Sequence, residues 1–347
     1  MDRCDKLRQS IDENEAVYIS SYPNIFYYSG FTSEDARLII TKTRKIILTD
    51  SRYTVQARLQ APDFECFDII TEIEKVMKSL NVERLCFEEN NITIAQFAKM
   101  QKFGMMPKPF SKQISLPRQI KDEKEIKAIS EAERLGDEAF SYIIKNIKPG
   151  KSEREIALLL EFFMRKNGAT ALSFDTICAS GKRSAMPHGT ASDKIIKKGD
   201  FLTLDFGCVL DGYCSDMTRT VVIGEADDTQ KEIYEIVLKA QKAALSVLKS
   251  GLPCAEGDRA ARKVIEDAGY AKNFGHSTGH SVGIEIHENP NLSPKSEDIL
   301  ACNNVVTVEP GIYIENFGGV RIEDLVQITD GGIINLTASE KELLILS

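Results

Sequence analysis

The chain has 347 residues, 28% of them charged and 42% hydrophobic, the make-up of an ordinary soluble protein with material for two domains. Its net charge of -8 and pI near 5.3 argue against nucleic acid or an acidic membrane surface as a partner. The opening "MDRCDKLRQSIDENE" lacks the apolar core of a signal peptide, and no run of about 18 apolar residues follows, so a cytoplasmic location is expected.

In chain order, strands are expected over "AVYIS" (16–20), within "ARLIITKTRKIILTD" (36–50) and over "ERLCFEE" (83–89), with helices near 53–60 and over "TIAQFAKMQKF" (93–103). This mixed order describes an α/β domain, and no cluster of catalytic residue types falls within it. Organisation changes near residue 118. There "SLPRQIKDEKEIKAISEAERLGDEAFSYIIKNI" passes from a Pro-containing linker into a long helix, with Ile126, Ile129, Ala132, Leu135 and Ala139 at helical spacing. Domains over 1–118 and 119–347 are therefore expected. The second opens with helices. Ser152 and Glu155 have capping-box spacing, and Asn167-Gly168 is a good stop for the helix they begin. Another helix is expected over Glu232–Lys249, with Ile233, Val237, Ala240, Ala244 and Val247 on one face, and a shorter one over "EGDRAARKVIEDAGY". Strand-like segments lie between and after them, and the repeated order hints at an internal duplication. Eight cysteines are scattered with no C-x-x-C pair, which points to reduced thiols and excludes zinc-finger spacing.

The stretch "FLTLDFGCVLDGYCSDMTRT" (201–220) places acids in a strand-forming run. Leu202, Leu204 and Phe206 alternate with Thr203, Asp205 and Gly207, and Asp211-Gly212 is a two-residue hairpin turn, since both positions tolerate positive φ. In that register Leu210 faces Tyr213, Asp205 faces Thr218 and Asp216 faces Gly207. Asp205 and Asp216 become diagonal neighbours on one face, roughly 7–8 Å apart at Cα, together with Thr203, Thr218 and Thr220. Two converging carboxylates repel unless a cation lies between them, although a hairpin whose polar face met water would carry them equally well.

The rest of the second domain bears on that choice. All four histidines fall in it: His188 in "AMPHGT", His276 and His280 in "FGHSTGHSVG", and His287 in "IEIHENP". Glu309 ends the buried strand of "VVTVEPGIYI", and in "GGVRIEDLV" Arg321 and Glu323 are expected on one strand face with Val320 and Ile322 on the other. Asp205, Asp216, Glu309 and Glu323 carry four negative charges, which two divalent cations would cancel. Carboxylates with one imidazole suit manganese, cobalt or zinc in a two-metal centre, and Asp205 and Asp216 are suited to bridging it.

The order D-x10-D, then H, E and E resembles the pita-bread metallopeptidases. Through "LDFGCVLDGYCSDMTRT", "HSTGHSVGIEIHENP", "VVTVEPGIYI", "GGVRIEDLV" and the preceding "PHG", the whole chain is similar to their Xaa-Pro branch, which comprises aminopeptidase P and prolidase. The resemblance implies an N-terminal creatinase/prolidase-like α/β domain and a pita-bread catalytic domain of duplicated α+β design. It implies two divalent ions per subunit, manganese foremost with cobalt or zinc as alternatives, and a homodimer acting on proline-containing peptides. Asp205, Asp216, His280, Glu309 and Glu323 would be the ligands, with Asp216 and Glu323 bridging and His280 on one ion. His188 and His287 would bond the scissile peptide and the tetrahedral intermediate, and His276 would line the proline side. Glu309 would also shuttle a proton from water to the leaving nitrogen. Arg321 would hold a ligand carboxylate, and register alone gives Thr218 a supporting place behind the ligands.

Two other readings are open. Methionine aminopeptidase shares the five ligands, but it typically lacks the N-terminal domain and has glutamine at the position of Arg321. Creatinase-like enzymes and catalytically silent binding modules, such as a chromatin-factor subunit, lose ligands that this chain keeps. Preference for dipeptides over longer peptides is not settled by the sequence.

Overall fold

Residues 2–347 are described by a computed structural model, and the chain divides into two units between Arg118 and Gln119. The first contains helices α1 (Arg3–Arg8), α2 (Tyr22–Ser29), α3 (Thr54–Gln60), α4 (Ile73–Ser79), α5 (Ile94–Gln101) and α6 (Ser111–Ser115). Its strands are β1 (Glu15–Ile19), β2 (Ala36–Ile40), β3 (Lys45–Thr49), β4 (Glu65–Asp68), β5 (Arg84–Phe87) and β6 (Met106–Pro109). They form one sheet in the order β4-β3-β2-β1-β5-β6. Only β2 runs against its neighbours, and the remaining pairs are parallel, which is why helices carry the chain from strand to strand. On one face Val76 and Met77 of α4 and Met100 of α5 pack over Ala16, Ile39, Ile46 and Leu48. Thr93 and Gln96 close a reciprocal capping box that starts α5.

The second unit is built twice over. Helices α7 (Glu123–Ile143) and α8 (Glu153–Lys166) precede strands β7 (Ala171–Leu172), β8 (Ile177–Ser180), β9 (Phe201–Phe206), β10 (Cys208–Leu210), β11 (Tyr213–Cys214) and β12 (Met217–Ile223). Helices α9 (Asp228–Val247) and α10 (Cys254–Asp267) then precede β13 (Gly279–Ser281), β14 (Glu288–Leu292), β15 (Val305–Val308), β16 (Gly311–Ile314), β17 (Gly318–Arg321), β18 (Asp324–Thr329), β19 (Gly332–Asn335) and β20 (Ile345–Leu346). The first helix pair covers the sheet β20-β12-β9-β8, and the second covers β14-β13-β15-β18-β19.

Sequence explains the first half directly. Capping boxes at Asp122/Glu125 and Ser152/Glu155 start α7 and α8. Leu202, Leu204 and Phe206 enter the core beneath those helices, each worth roughly 1.5–3 kcal/mol in burial. Asp211 and Gly212 take the expected left-handed conformations, with φ of 50° and 82°, and the register pairs Leu210 with Tyr213 and Thr218 with Asp205. In the second half, Ile233, Val237, Ala240 and Ala244 of α9 are buried, but Val247 at its end is 36% exposed and lies off the packed face. All eight cysteines are free thiols, and Cys302 is exposed.

Candidate metal centre

The acidic face of the β9/β12 ribbon is enclosed: Asp205 is 8% and Asp216 4% exposed, so a hairpin with its polar face in water is ruled out. Asp205 lies on β9, and Asp216 occupies the step between β11 and β12. The ribbon tightens at that step, because a Cβ on Gly207 would lie 2.0 Å from the Ser215 carbonyl oxygen. The second half supplies the rest. His280 is in β13, which approaches β15 so closely that a Cβ on Gly279 would lie 2.0 Å from the Thr307 oxygen. Glu309 follows the last residue of β15.

Glu323 corrects one expectation. It does not share a strand with Arg321, because β17 ends at Arg321 and β18 begins at Asp324, and the two strands belong to different sheets. Glu323 sits in the break between them. Its N–H donates to the Thr218 carbonyl (3.1 Å), and its Oε2 accepts from the Thr218 hydroxyl (2.6 Å). Val320 and Ile322 enter the core as expected.

One cavity of about 610 Å³ is lined by Asp205, Asp216, His280, Glu309 and Glu323 together with His188, His276, His287 and Arg321. Thr218 stands behind that wall. Ligand-capable atoms of Asp216, His280 and Glu323 lie within 4.8 Å of one another. Thus Asp216 and Glu323, rather than Asp205 and Asp216, are the carboxylates grouped with the imidazole. His280 Nε2 is 3.5 Å from both Asp216 Oδ2 and Glu309 Oε1.

The donor set fits divalent cations. His280 Nδ1 faces the Ser281 carbonyl at 3.2 Å; a carbonyl only accepts, so Nδ1 carries the hydrogen and Nε2 turns a lone pair toward two carboxylate oxygens. Such a contact is repulsive unless a cation or a proton lies between. Asp205 Oδ1 is buried and has no hydrogen-bond partner among the described residues, although Oδ2 of the same group is held by Arg321 Nη2 at 2.5 Å. Burial, and then the neighbouring carboxylates, push the Asp216 and Glu323 carboxyls well above their usual range, and burial pushes Glu309 up to about 8. Burial lowers His280 to about 4. Such groups prefer neutrality as they stand, and a divalent ion restores their charge.

Arg321 organises the rim. Its Nε donates to Thr218 (3.1 Å), its Nη1 to the Tyr313 hydroxyl (2.7 Å) and its Nη2 to Asp205. His276 Nδ1 meets the Ser277 carbonyl (2.8 Å) and Nε2 the Tyr313 hydroxyl (2.9 Å). Ser277 again fixes the hydrogen on Nδ1, so the Tyr313 O–H donates to His276 while accepting from Arg321. Burial lowers His276 to about 4, which keeps this chain neutral at the imidazole. His188 and His287 are exposed on the cavity wall, and the His287 ring lies edge-on to His280 with centroids 4.5 Å apart.

Sequence reading missed Tyr313, and it missed Glu133. Glu133 is a fully buried acid of α7 that accepts the Asp216 N–H (3.2 Å) and the Thr337 hydroxyl (2.6 Å). Burial raises its carboxyl to about 8. It also missed Arg219, which donates to the carbonyls of Thr218, Glu323, Ser339 and Glu340 and to Asp324 Oδ1. Burial alone would raise Asp324, but Arg219 and Lys341 outweigh it and hold the carboxyl below its ordinary range.

Comparison with known proteins gives this arrangement its class. The profile of metallopeptidase family M24 matches residues 127–330, and that of the creatinase/prolidase N-terminal domain matches residues 3–120. The chain therefore belongs to metallopeptidase family M24 and is a metallo-exopeptidase, a hydrolase with the pita-bread catalytic fold. It is 41% identical over 350 residues to the Xaa-Pro dipeptidase of Pyrococcus furiosus, covering 99% of each chain. Among solved structures it is similar to an Xaa-Pro dipeptidase from Bacillus anthracis (TM-score 0.96, 44% identity, 99% of each chain). It is likewise similar to an X-Pro aminopeptidase from Thermotoga maritima (TM-score 0.93, 37% identity, 99% of this chain and 100% of that one).

Proposed function

We propose that the chain hydrolyses the peptide bond before proline, releasing the residue ahead of it, with two divalent ions held by Asp205, Asp216, His280, Glu309 and Glu323. Asp216 and Glu323 would bridge the ions, manganese foremost, in a cytoplasmic homodimer. The observation that carries this reading is the convergence of Asp216, His280 and Glu323 donor atoms within 4.8 Å on one buried wall. The proline preference draws support from the Xaa-Pro names of the relatives and from the N-terminal domain that this chain shares with them.

Bound ions would polarise the scissile carbonyl and bring water to reactivity near neutral pH. Side chains do the remainder. A peptide bond to proline has no N–H, so recognition must come from the ring and from the carbonyls around it. The neutral His276 edge, backed by Tyr313, supplies a wall for the ring. His287 and His188 are free to donate to carbonyl oxygens, and a donor placed where negative charge develops favours the transition state over the bound substrate. Glu309 takes the proton of the attacking water on its carboxylate and returns it to the proline nitrogen as that nitrogen leaves.

Exhaustive dialysis against a strong chelator should abolish hydrolysis of Xaa-Pro substrates, and manganese or cobalt should restore it. Full activity in protein shown by elemental analysis to be metal-free would overturn the metal assignment. Side-by-side rates on Xaa-Pro, Xaa-Pro-Yaa-Yaa and Met-Ala peptides test specificity: proline in second place should be required. Preference for Met-Ala would move the chain to the methionine aminopeptidase type.

A further inference from the structure

The N-terminal unit carries a cavity of about 510 Å³, within the range of small-molecule sites. Its place in the sheet is informative. Strands β1, β3, β4, β5 and β6 point one way. From β1 the chain works outward through β2 and β3 to β4, and after α4 it crosses back to β5 and proceeds the opposite way to β6. The connections therefore reverse between β1 and β5. In open α/β sheets a crevice forms at the carboxyl ends of the strands where this reversal occurs, because the flanking loops diverge. Tyr18 and Ser20 at the end of β1, Ile69 just after β4 and Ile92 in the loop after β5 line this cavity, so it occupies that crevice.

The lining has two kinds of chemistry. Ile73 and Met77 from α4, and Met100 and Phe103 from α5 and its end, supply an apolar wall with sulfur atoms that adapt to shape. Lys78, Lys99 and Lys102 stand around it against one acid, Glu74. None of these lysines has an ion-pair or hydrogen-bonding partner for its ammonium among the described residues. Several other cations of this unit are ion-paired, as Arg44 is with Glu65 and Lys108 with Glu15.

We propose that this crevice binds an organic anion of metabolite size, with an apolar body seated between α4 and α5 and its negative group facing Lys78, Lys99 and Lys102. Its lining shares no residue with the peptidase centre, and the inference does not depend on the proline assignment.

The probes are 8-anilinonaphthalene-1-sulfonate and its uncharged counterpart N-phenyl-1-naphthylamine, titrated by fluorescence into the full-length metal-loaded protein. The sulfonate should bind saturably, one per chain, at least about tenfold more tightly than the neutral dye. The variant Lys78→Gln/Lys99→Gln/Lys102→Gln should lose that tenfold preference while still binding the neutral dye. Ile73→Trp, which fills the crevice, should weaken both dyes. Peptide hydrolysis should be unchanged in either variant, and an unaltered circular-dichroism spectrum and melting temperature certify their fold. Equal affinity for the two dyes in the parent protein overturns the anion assignment without recourse to any variant. Sulfonate binding that does not saturate, or that survives both sets of substitutions, overturns the site.

Discussion

The two halves of the catalytic unit contribute to one centre by different means. The first half brings Asp205 and Asp216 on a single ribbon whose turn and register fix their spacing, so local pairing alone sets them side by side. The second half delivers His280, Glu309 and Glu323 from three separate places: a short strand, a strand end and a break between two sheets. Glu323 in particular is anchored across the halves, through the Thr218 carbonyl and hydroxyl. One half can be pre-arranged by its own backbone. The other is arranged by being tied to the first.

The strongest way to break this picture is at the ribbon. Asp216→Asn removes a charge placed beside both His280 and Glu323, so kcat/KM for Xaa-Pro peptides should fall by more than the roughly 10²–10³-fold that a lost oxyanion donor costs. Metal content measured on the same sample should fall with it. A variant that kept its ions and most of its rate would deny the ribbon its role.

The imidazoles of the second half come next. His280→Ala should lose metal occupancy, since a coordination position goes. His287→Ala should keep its ions and lose roughly 10²–10³-fold in kcat, with KM moving less. Reversal of that pattern would exchange the two assignments.

Arg321→Lys probes the rim that joins both halves. A lysine cannot serve Thr218, Tyr313 and Asp205 together as the guanidinium does, so the expected loss is roughly 10–100-fold in activity or metal affinity. The smallest effect sharpens the comparison most. Thr218→Val should cost on the order of tenfold in metal affinity, and in a double-mutant cycle with Glu323→Gln the two losses should not add. Additive losses would mean that Thr218 does not act through Glu323.

Sequence was informative where chemistry is local. The Asp-Gly turn, the two-residue alternation and the caps of α7 and α8 carry their own signals, and they account for the ribbon and its helical cover. In the first unit, α1, α2, α4, α6 and the strands β4 and β6 are not legible in the sequence. "YPNIFYYS" reads as aromatic rather than amphipathic, and "ECFD" is too short and too polar to stand out; both are held by packing on a sheet that no short window contains. The Arg321/Glu323 strand was misread because a chain passing from one sheet to another keeps its alternation through the break. Tyr313 and Glu133 gave no cue. A tyrosine in a strand looks like core, and an acid between Ala132 and Arg134 looks like a helix surface until the partners 83 and 204 residues away are known.

The reach of Arg219 has a consequence in time. Its guanidinium spans the carbonyls beneath the ribbon and those of Ser339 and Glu340, while β20 pairs with β12 at Val222 and Ile223. A ribosome translates Asp205 long before Ser339; at about 5–20 residues per second the interval is on the order of ten seconds. Throughout that interval the nascent chain holds an acidic ribbon whose far-side anchors have not been made. The tie from the ribbon to Ser339, Glu340 and β20 is therefore made only after every acid of the cavity has been synthesised.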